Sequence, residues 1–484
     1  MTISAALSNA LSSLAAEQRQ SMILANNIAN ANTPGYVRRD MPRSEQLVAG
    51  VGSGVMAGAT QRAGDAALAA ASRMADGMEA YAGRMREMLE AYNATVGQPS
   101  DERSLSSKLG SFKEAMTTLS SAPDNAVAQA QALAAAQDLV EAFHAMDSAI
   151  SEARAKADLS VAQDVEAVNA ALGSLAEMDR QMAVASARGA STAEFEDRRD
   201  TLLADISGRL PLRVFDNGPG HLLLMTDGGT TLYDSTVIHP LSFTHTPTMP
   251  AESRHPAALS AVTVEGQALR MSDSGSIAAS LQLRDVTLPR FTDMIDQVAA
   301  RLIQSFQEAD TTLSGQQAGL FAVTGEADWD AGAPFLGLSR KIAINPAADP
   351  EQGGALSALR AGMHATPAML EGQAADNTVI LRALDALEKA RAYGGATGLP
   401  SSMSLSQAAS QSIGLMQGER AIWSDRAEAR GRLALQARED LTNKTAVNID
   451  EEMQRLLVVQ QTYAASVQVI QAAARMLEQL EQIR

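Results

Sequence analysis

Three groups of residues in this chain are of types that can do chemistry. Gly52-Ser-Gly-Val-Met-Ala57 has the glycine spacing of a loop in which backbone amides approach a pyrophosphate. No buried strand is expected before it and no clear helix after it, so we read it as a connector whose glycines permit close packing. His239, His245 and His255 could supply metal ligands, yet they stand in a Pro/Thr/Ser-rich stretch without a carboxylate pattern and read as loop histidines. Asp450, Glu451 and Glu452 offer neighbouring carboxylates; at the start of a helix, however, they suit capping and solvation better than divided acid and base roles. With six histidines scattered and no cysteine, no set of nucleophile, base and orienting group emerges. Thiolate catalysis, disulfides and cysteine-based zinc sites are excluded outright. We therefore expect a chain that is not an enzyme and has no catalytic residue, cofactor or metal.

The elements that would position any site are mostly helical. At 484 residues the chain exceeds the usual single core, and aromatics make up only 4% of it. Tracts rich in Ala, Ser, Gln, Met and Leu favour helical bundles over a large mixed globule. The net charge of −17 is spread along the sequence, which argues against a nucleic-acid or anionic-membrane binder. No apolar run is long enough for a membrane span, and Met1 to Ala16 lacks the marks of a cleavable signal.

From Ile3 to Ile28, the positions Ile3, Leu7, Leu11, Leu14, Ala25 and Ile28 recur at helical spacing, with Gln18 and Ser21 in the same stripe. The helix should end near Asn30, because Thr33 precedes a proline and Pro34-Gly35 suits the centre of a type II turn. Residues 48–64 read as an irregular or β-like connector. Long antiparallel helices are expected from Asp65 to Gly208, with breaks at 97–99, 121–123 and near Gly189. Within them Met74, Met78, Met85 and Met88 read first as core. An inserted β domain is expected between Leu210 and Leu288, helix again over Arg290 to Ala309, a mixed segment with Phe321, Trp329 and Phe335, and helix from Met403 onward with a break at 443–448.

The last helix has the clearest period in the chain. Ile449, Leu456, Tyr463, Ile470 and Leu477 stand seven apart, flanked by Val459, Val467, Ala473 and Leu480. Such a stripe needs a partner helix, and the Leu7 to Ile28 seam is the natural mate. Neither end helix buries its stripe alone, so both are expected to be mobile in the free monomer and to order on assembly.

Ala25-Asn-Asn-Ile-Ala-Asn-Ala-Asn-Thr-Pro-Gly-Tyr36 resembles the motif shared by axial proteins of the bacterial flagellum. Five further stretches resemble the hook-associated members of that family: Tyr36-Val-Arg38 after the turn, Gly54 to Arg62 with Asp65, Asp197-Arg-Arg-Asp-Thr-Leu-Leu203, Gly275 to Asp285, and Val447-Asn-Ile-Asp-Glu-Glu452 leading to Gln460-Gln-Thr-Tyr463. Ala446 stands where the family has glycine, and the middle region is too short for the extra outer domain of many members.

The resemblance implies a mainly α, elongated, multi-domain protein with an inserted β domain. Segments 1–55 and 447–484 would form a terminal coiled coil lining an inner tube, 56–208 with 290–446 a helical domain, and 209–289 the outer β domain. It implies a structural adaptor joining hook to filament, exported by the flagellar type III path without a cleaved signal and located in the extracellular flagellum. The implied partners are copies of itself, the hook protein, the next junction protein, and a cytoplasmic export chaperone that holds the C-terminal region. The expected assembly interface comprises Leu7, Leu11, Leu14, Asn27, Asn30, Thr33, Gly35, Tyr36, Ile449, Leu456, Tyr463, Ile470 and Leu477. The chaperone would contact Leu456, Tyr463, Ile470 and Leu477. The hook protein itself, and a secreted adhesin or hydrolase built on the β domain, are the rival readings.

Overall fold

Helix starts in this chain are set by short polar side chains that satisfy otherwise unpaired amides. Asp65 accepts from the amides of Ala67 and Leu68, Asn125 from Val127 and Ala128, and Asn448 from Asp450 and Glu451. Ser404 and Gln407 form a reciprocal capping box. A computed structural model describes residues 3–48, 51–98, 100–326, 328–330, 335–371 and 375–482.

Helix α1 spans Ile3–Ala29 and is followed by β1 (Arg39–Asp40), β2 (Arg43–Val48), β3 (Val51–Ala57) and β4 (Gln61–Arg62). Strands β2 and β3 form an antiparallel hairpin, and β1 pairs with β4. Then come α2 (Ala66–Val96), α3 (Leu105–Ser121), α4 (Ala126–Ala187) and α5 (Ala193–Arg209). The breaks fall where the Gly97, Pro123 and Gly189 signals place them. At 62 residues α4 is about 90 Å long and runs past every layer of the body.

The β region holds two small antiparallel sheets. One is β5 (Leu212–Asp216), β6 (Leu222–Thr226) and β7 (Thr231–Tyr233); the other is β8 (Leu241–Ser242), β9 (Thr263–Val264) and β10 (Gln267–Ala268). Helix returns earlier than the expected Arg290: α6 starts at Ser276 and passes through a widened π turn at 283–287 into α7 (Leu288–Ala309). Pro289 explains the π turn, because it has no N–H to offer the Asp285 carbonyl, and the Leu288 amide reaches back to Leu283 instead.

The remainder comprises β11 (Phe321–Val323) paired with β12 (Ile342–Ile344), short helices α8 (Leu338–Lys341), α9 (Ala358–Ala361) and α10 (Pro367–Glu371), then α11 (Thr378–Glu388) and the pair β13 (Arg391–Ala392) and β14 (Ser402–Met403). Helices α12 (Leu405–Thr445) and α13 (Ile449–Gln482) close the chain. α12 packs along α2, and α13 packs along α1.

The body has two hydrophobic clusters. The larger joins α2, α3, α7, α11, the start of α12 and the first half of α4, ending on α4 at Ala157. The second starts at Val161 and continues through α5 and the β sheets. Between them lies a buried polar layer of Arg154, Asp158 and Arg284, each at most 1% exposed. Arg284 meets Asp158 at 2.6 Å and Asp285 at 2.7 Å; the other Asp158 oxygen accepts from the Thr246 amide and lies 2.7 Å from His245 Nδ1. Arg154 donates to the carbonyls of Arg284, Pro250 and Ser253. Of the methionines read as core, Met85 and Met88 are buried, whereas Met74 is exposed on the outer face of α2.

Asp296 of α7 illustrates the cost of a buried carboxylate. It accepts from the amides of Gly337 (2.7 Å) and Ser339 (2.8 Å) and from the Ser339 hydroxyl, yet burial raises its pKa from 3.8 to about 6. Between those values the folded chain holds a proton that the unfolded chain has released, so this group's contribution to stability falls as the pH rises through that window. We predict that the stability advantage of wild type over Asp296→Asn is largest near pH 4 and shrinks by about 2–3 kcal/mol toward pH 7, measured by denaturant unfolding. A pH-independent difference would refute this.

Candidate assembly interface and the junction at Asn27

The motifs named above lie far apart in sequence, and the fold brings most of them to one place. Asn27, near the end of α1, is fully buried. Its amide nitrogen donates to the Arg39 carbonyl and to Glu452 Oε2, both at 2.8 Å. Its oxygen accepts from the Tyr36 hydroxyl at 2.9 Å and the Arg39 amide at 3.0 Å. Two donors and two acceptor sites are all that an asparagine amide has, and all four are used. Neither Asp, which cannot donate, nor Ala can do the same.

The turn after α1 is shaped for this contact. Gly35 has φ +79°, the Tyr36 amide closes onto the Thr33 carbonyl, and a Cβ on Gly35 would stand 3.0 Å from Thr201 Oγ1 of α5. Burial raises the Tyr36 pKa, against the pull of the Arg39 guanidinium, which stacks 4.9 Å from the ring centre. Arg39 also reaches Asp197 of α5 at 3.3 Å. Arg62 bonds the other Asp197 oxygen and Asp200 at 2.8 Å each, and Glu196 at 3.4 Å. Burial raises the Asp197 pKa despite Arg62 and Arg39. Burial opposes the charge on Arg62 as well, yet Asp200, Asp197 and Glu196 raise its pKa overall. The Arg38 amide bonds the Thr445 carbonyl at 2.8 Å, fixing the end of α12 to the same knot.

Glu452 corrects the reading of the 450–452 carboxylates. Asp450 and Glu451 are exposed as expected, but Glu452 is 0% exposed and bonded to Asn27. Because side chains of the first turn point to different sides of α13, three adjacent carboxylates do not share one environment. Gly52 to Ala57 lies in the β2–β3 hairpin. A Cβ on Gly54 would come within 2.2 Å of Ser12 Oγ, and the Val55 amide donates to that same oxygen, so Gly54 lets β3 press on α1. The three histidines do not converge: His239 lies 2.7 Å from Glu265, His245 pairs with Asp158, and among the described residues no group of three His, Asp or Glu could hold a metal. His245 is thus anchored to a buried carboxylate instead of standing free in its loop.

The seam between α1 and α13 also differs from the expected one. The column buried on α13 is Glu452, Val459, Ser466 and Ala473; on α1 it is Ala10, Ala16, Glu17, Gln20, Leu24 and Asn27. Glu17 is satisfied by a two-pronged pair with Arg43. On α13 the buried column is short-chained after Glu452 and the largest apolar side chains are left on the flanks, whereas α1 buries Leu24 in the seam. Leu7, Leu14, Leu456 and Ile470 are half-buried, while Leu11, Ile449, Tyr463 and Leu477 are exposed. Of the turn residues, Asn30 and Tyr36 are half-buried and Thr33 and Gly35 exposed. Residues 456–474 carry no charge. Among the described residues, half of the large apolar side chains left exposed lie on α1, the β2–β3 hairpin and α13. A groove of about 520 Å³ between Met22 on α1 and Val459, Gln460 and Tyr463 on α13 is part of this surface.

Comparison with known proteins meets the same three regions. The family model described as Flagella basal body rod protein matches residues 7–36, and that of the Flagellar basal body rod FlgEFG protein C-terminal matches 442–483. These are the two segments that Asn27 and Glu452 join. The model of the Flagellar hook-associated protein FlgK helical domain matches residues 89–321, covering α3 to α7 and both β sheets. The chain is thus similar to flagellar basal body rod proteins at both ends and to hook-associated proteins between them. Flagellar hook-associated protein 1 of Bacillus subtilis (strain 168) is 23% identical over 236 residues, 46% of this chain and 46% of that protein. The chain thus spans a little under half the length of the curated relative it matches. The flagellar hook junction protein FlgK from Burkholderia pseudomallei aligns with a TM-score of 0.44 and 18% identity, covering 52% of this chain and 46% of that one.

We predict that Asn27→Asp is more damaging than Asn27→Ala. Either change leaves buried groups unpaired, at about 1–3 kcal/mol each, and the aspartate adds a like charge beside Glu452. Thermal unfolding and amide exchange at Arg39 report it; equal stabilities for the two variants would contradict the account.

Proposed function

We propose that this chain is a structural adaptor that assembles with copies of itself at the hook–filament junction of the bacterial flagellum. The observation that carries this reading is the largely uncovered surface of the α1–α13 pair, charge-free along α13 from 456 to 474, on segments matched by basal body rod family models. Contiguous apolar surface of this kind is costly in water and marks a contact face. Head-to-tail packing of one such face on another generates rings and helical tubes. The reading is of a protein that works by packing, not catalysis: Glu452, the most sequestered of the candidate carboxylates, already serves Asn27.

In this reading α1 and α13 face the inner tube, the helical body surrounds them, and the two small sheets lie outermost. Leu7, Leu11, Leu14, Ile449, Leu456, Tyr463, Ile470 and Leu477 contact neighbouring subunits, the hook protein and the next junction protein. Asn27, Asn30, Thr33, Gly35 and Tyr36 hold the turn that sets the angle of the pair. Before assembly, an export chaperone covers Leu456, Tyr463, Ile470 and Leu477 during passage through the type III path to the flagellum outside the cell.

Electron microscopy of cells lacking the chain tests the role. Hooks without filaments, with flagellin lost to the medium, are expected; normal filaments would reject the assignment.

A further inference from the structure

The α1–α13 seam contains two polar contacts that its packing does not require. Asn27 meets Glu452, and Ser13 Oγ meets Ser466 Oγ at 3.3 Å. Along each helix the two contacts are fourteen residues apart, running in opposite directions, so they sit two heptads apart on one antiparallel pair. Beyond Glu452 the α13 side of the seam is Val459, Ser466 and Ala473 at seven-residue spacing, and α1 meets it with Ala10 and Ala16 as well as Glu17, Gln20 and Leu24. That short-chained α13 column looks much the same to α1 after a shift of one heptad.

A shift that moves Val459 opposite Asn27 would bring Ser466 opposite Gln20 and Ala473 opposite Ser13. It loses no paired length, because α13 runs about one heptad past the residues that face the start of α1. It would even offer a hydroxyl to Gln20, whose buried Oε1 has no hydrogen-bond partner. Only the first two turns of α13 would have to loop out. What the shift cannot replace is Glu452: Val459 gives Asn27 Nδ2 no acceptor, and the amide is left with an unmet buried donor.

We propose that the Asn27–Glu452 contact is a register lock, which holds α13 at one axial position on α1 and so fixes which apolar side chains the pair presents. A buried polar contact that selects register at some cost in stability is physically well founded. The lock is a property of the single chain and stands apart from the junction role.

The sequence has no cysteine, so introduced thiols report register without background. In the full-length chain at low concentration, Ser13→Cys with Ser466→Cys is expected to form an intramolecular disulfide under mild oxidation, and Ser13→Cys with Ala473→Cys is not. Adding Glu452→Leu should raise the Ser13–Ala473 cross-link to a yield comparable with the Ser13–Ser466 one, with no more helix lost by circular dichroism than the two turns that loop out. Glu452→Gln, whose carbonyl can still accept from Asn27, should restore exclusive Ser13–Ser466 cross-linking. If Glu452→Leu loses more helix than that, Asn27→Leu is read in its place. Exclusive Ser13–Ser466 cross-linking in the leucine backgrounds, equal slippage in Glu452→Gln, or no cross-link in the otherwise unchanged chain would each overturn the lock.

Discussion

Tyr463→Glu combined with Leu477→Glu is expected to abolish filament attachment while leaving the isolated chain folded. Both side chains are more than a third exposed in the single chain, so a carboxylate there is solvated and should move its stability by no more than about 0.5 kcal/mol. In a tube built on α13 the same positions are covered. A carboxylate taken out of water without a partner then costs several kcal/mol in every subunit. Deletion of 450–484 should have the same cellular outcome, with the further loss of the Glu452 acceptor at Asn27. Motility agar, microscopy and immunoblots of sheared flagella read the result. The same blots separate two uses of one surface: variant chain retained in the cytoplasm means chaperone or export contacts were lost, and variant chain in the medium means assembly failed after export. Swimming cells that carry the double variant in their flagella would sink the proposal. A separate activity seated in the β sheets would survive the deletion.

Both substitutions fall on the seven-residue period of α13. The period of seven on α13 is real, but it has two columns. The large apolar one, Ile449 to Leu477, stood out because it is hydrophobic. The buried one is Glu452, Val459, Ser466 and Ala473, of which hydrophobicity marks only Val459 and Ala473, and those as flanks of the larger column. Helix–helix seams made of small residues are silent in such patterns, since alanine and serine occur everywhere in this chain. What could have exposed the second column is a charge where one is not expected, namely Glu452 in register with the small residues that follow at seven-residue spacing.

Punctuation was far more legible than partnership. Pro34-Gly35, Gly97, Pro123, Gly189 and Asn448 mark their boundaries because each acts through its own backbone or a neighbour two or three residues away. The α6 start at Ser276 is hidden for the opposite reason: Ser276 and Ser280 are polar and small but buried, Ser276 bonding Asp164 of α4 while the preceding Gly275 amide bonds the Gly77 carbonyl. Asn27 was visible as a motif residue, yet its four hydrogen bonds include one to a side chain 425 positions away. Nothing local announces such a partner. The stretches Gly54 to Arg62 and Asp197 to Leu203 likewise carried only a resemblance until Arg62 was seen to bond Asp197 and Asp200.

Arg284→Ala is expected to be among the most destabilising single changes in the body, at about 3–5 kcal/mol. Arg284 is 0% exposed, and its guanidinium bonds Asp158, Asp285 and the Ser260 carbonyl. Burial works against its charge, but the hydrogen bonds and charges of Asp285 and Asp158 outweigh it and raise its pKa. Truncation leaves the fully buried Asp158 with only the Thr246 amide and His245, and opens a hole where the two hydrophobic clusters meet. Arg284→Met should fill much of the hole yet still leave Asp158 short of its countercharge, and so recover only part of the loss. Pairing Arg284→Met with Asp158→Leu removes both charges and should recover more, because an apolar replacement of a whole buried pair avoids the desolvation that the pair has to offset. Since the polar layer separates one cluster from the other along α4, the single variant should also weaken their cooperativity. Denaturant unfolding followed at Trp329, in the first cluster, and by exchange of the β6 amides, in the second, should then give separated midpoints. Coincident transitions at wild-type stability would show that packing alone, and not this ion pair, holds the two halves of the body together.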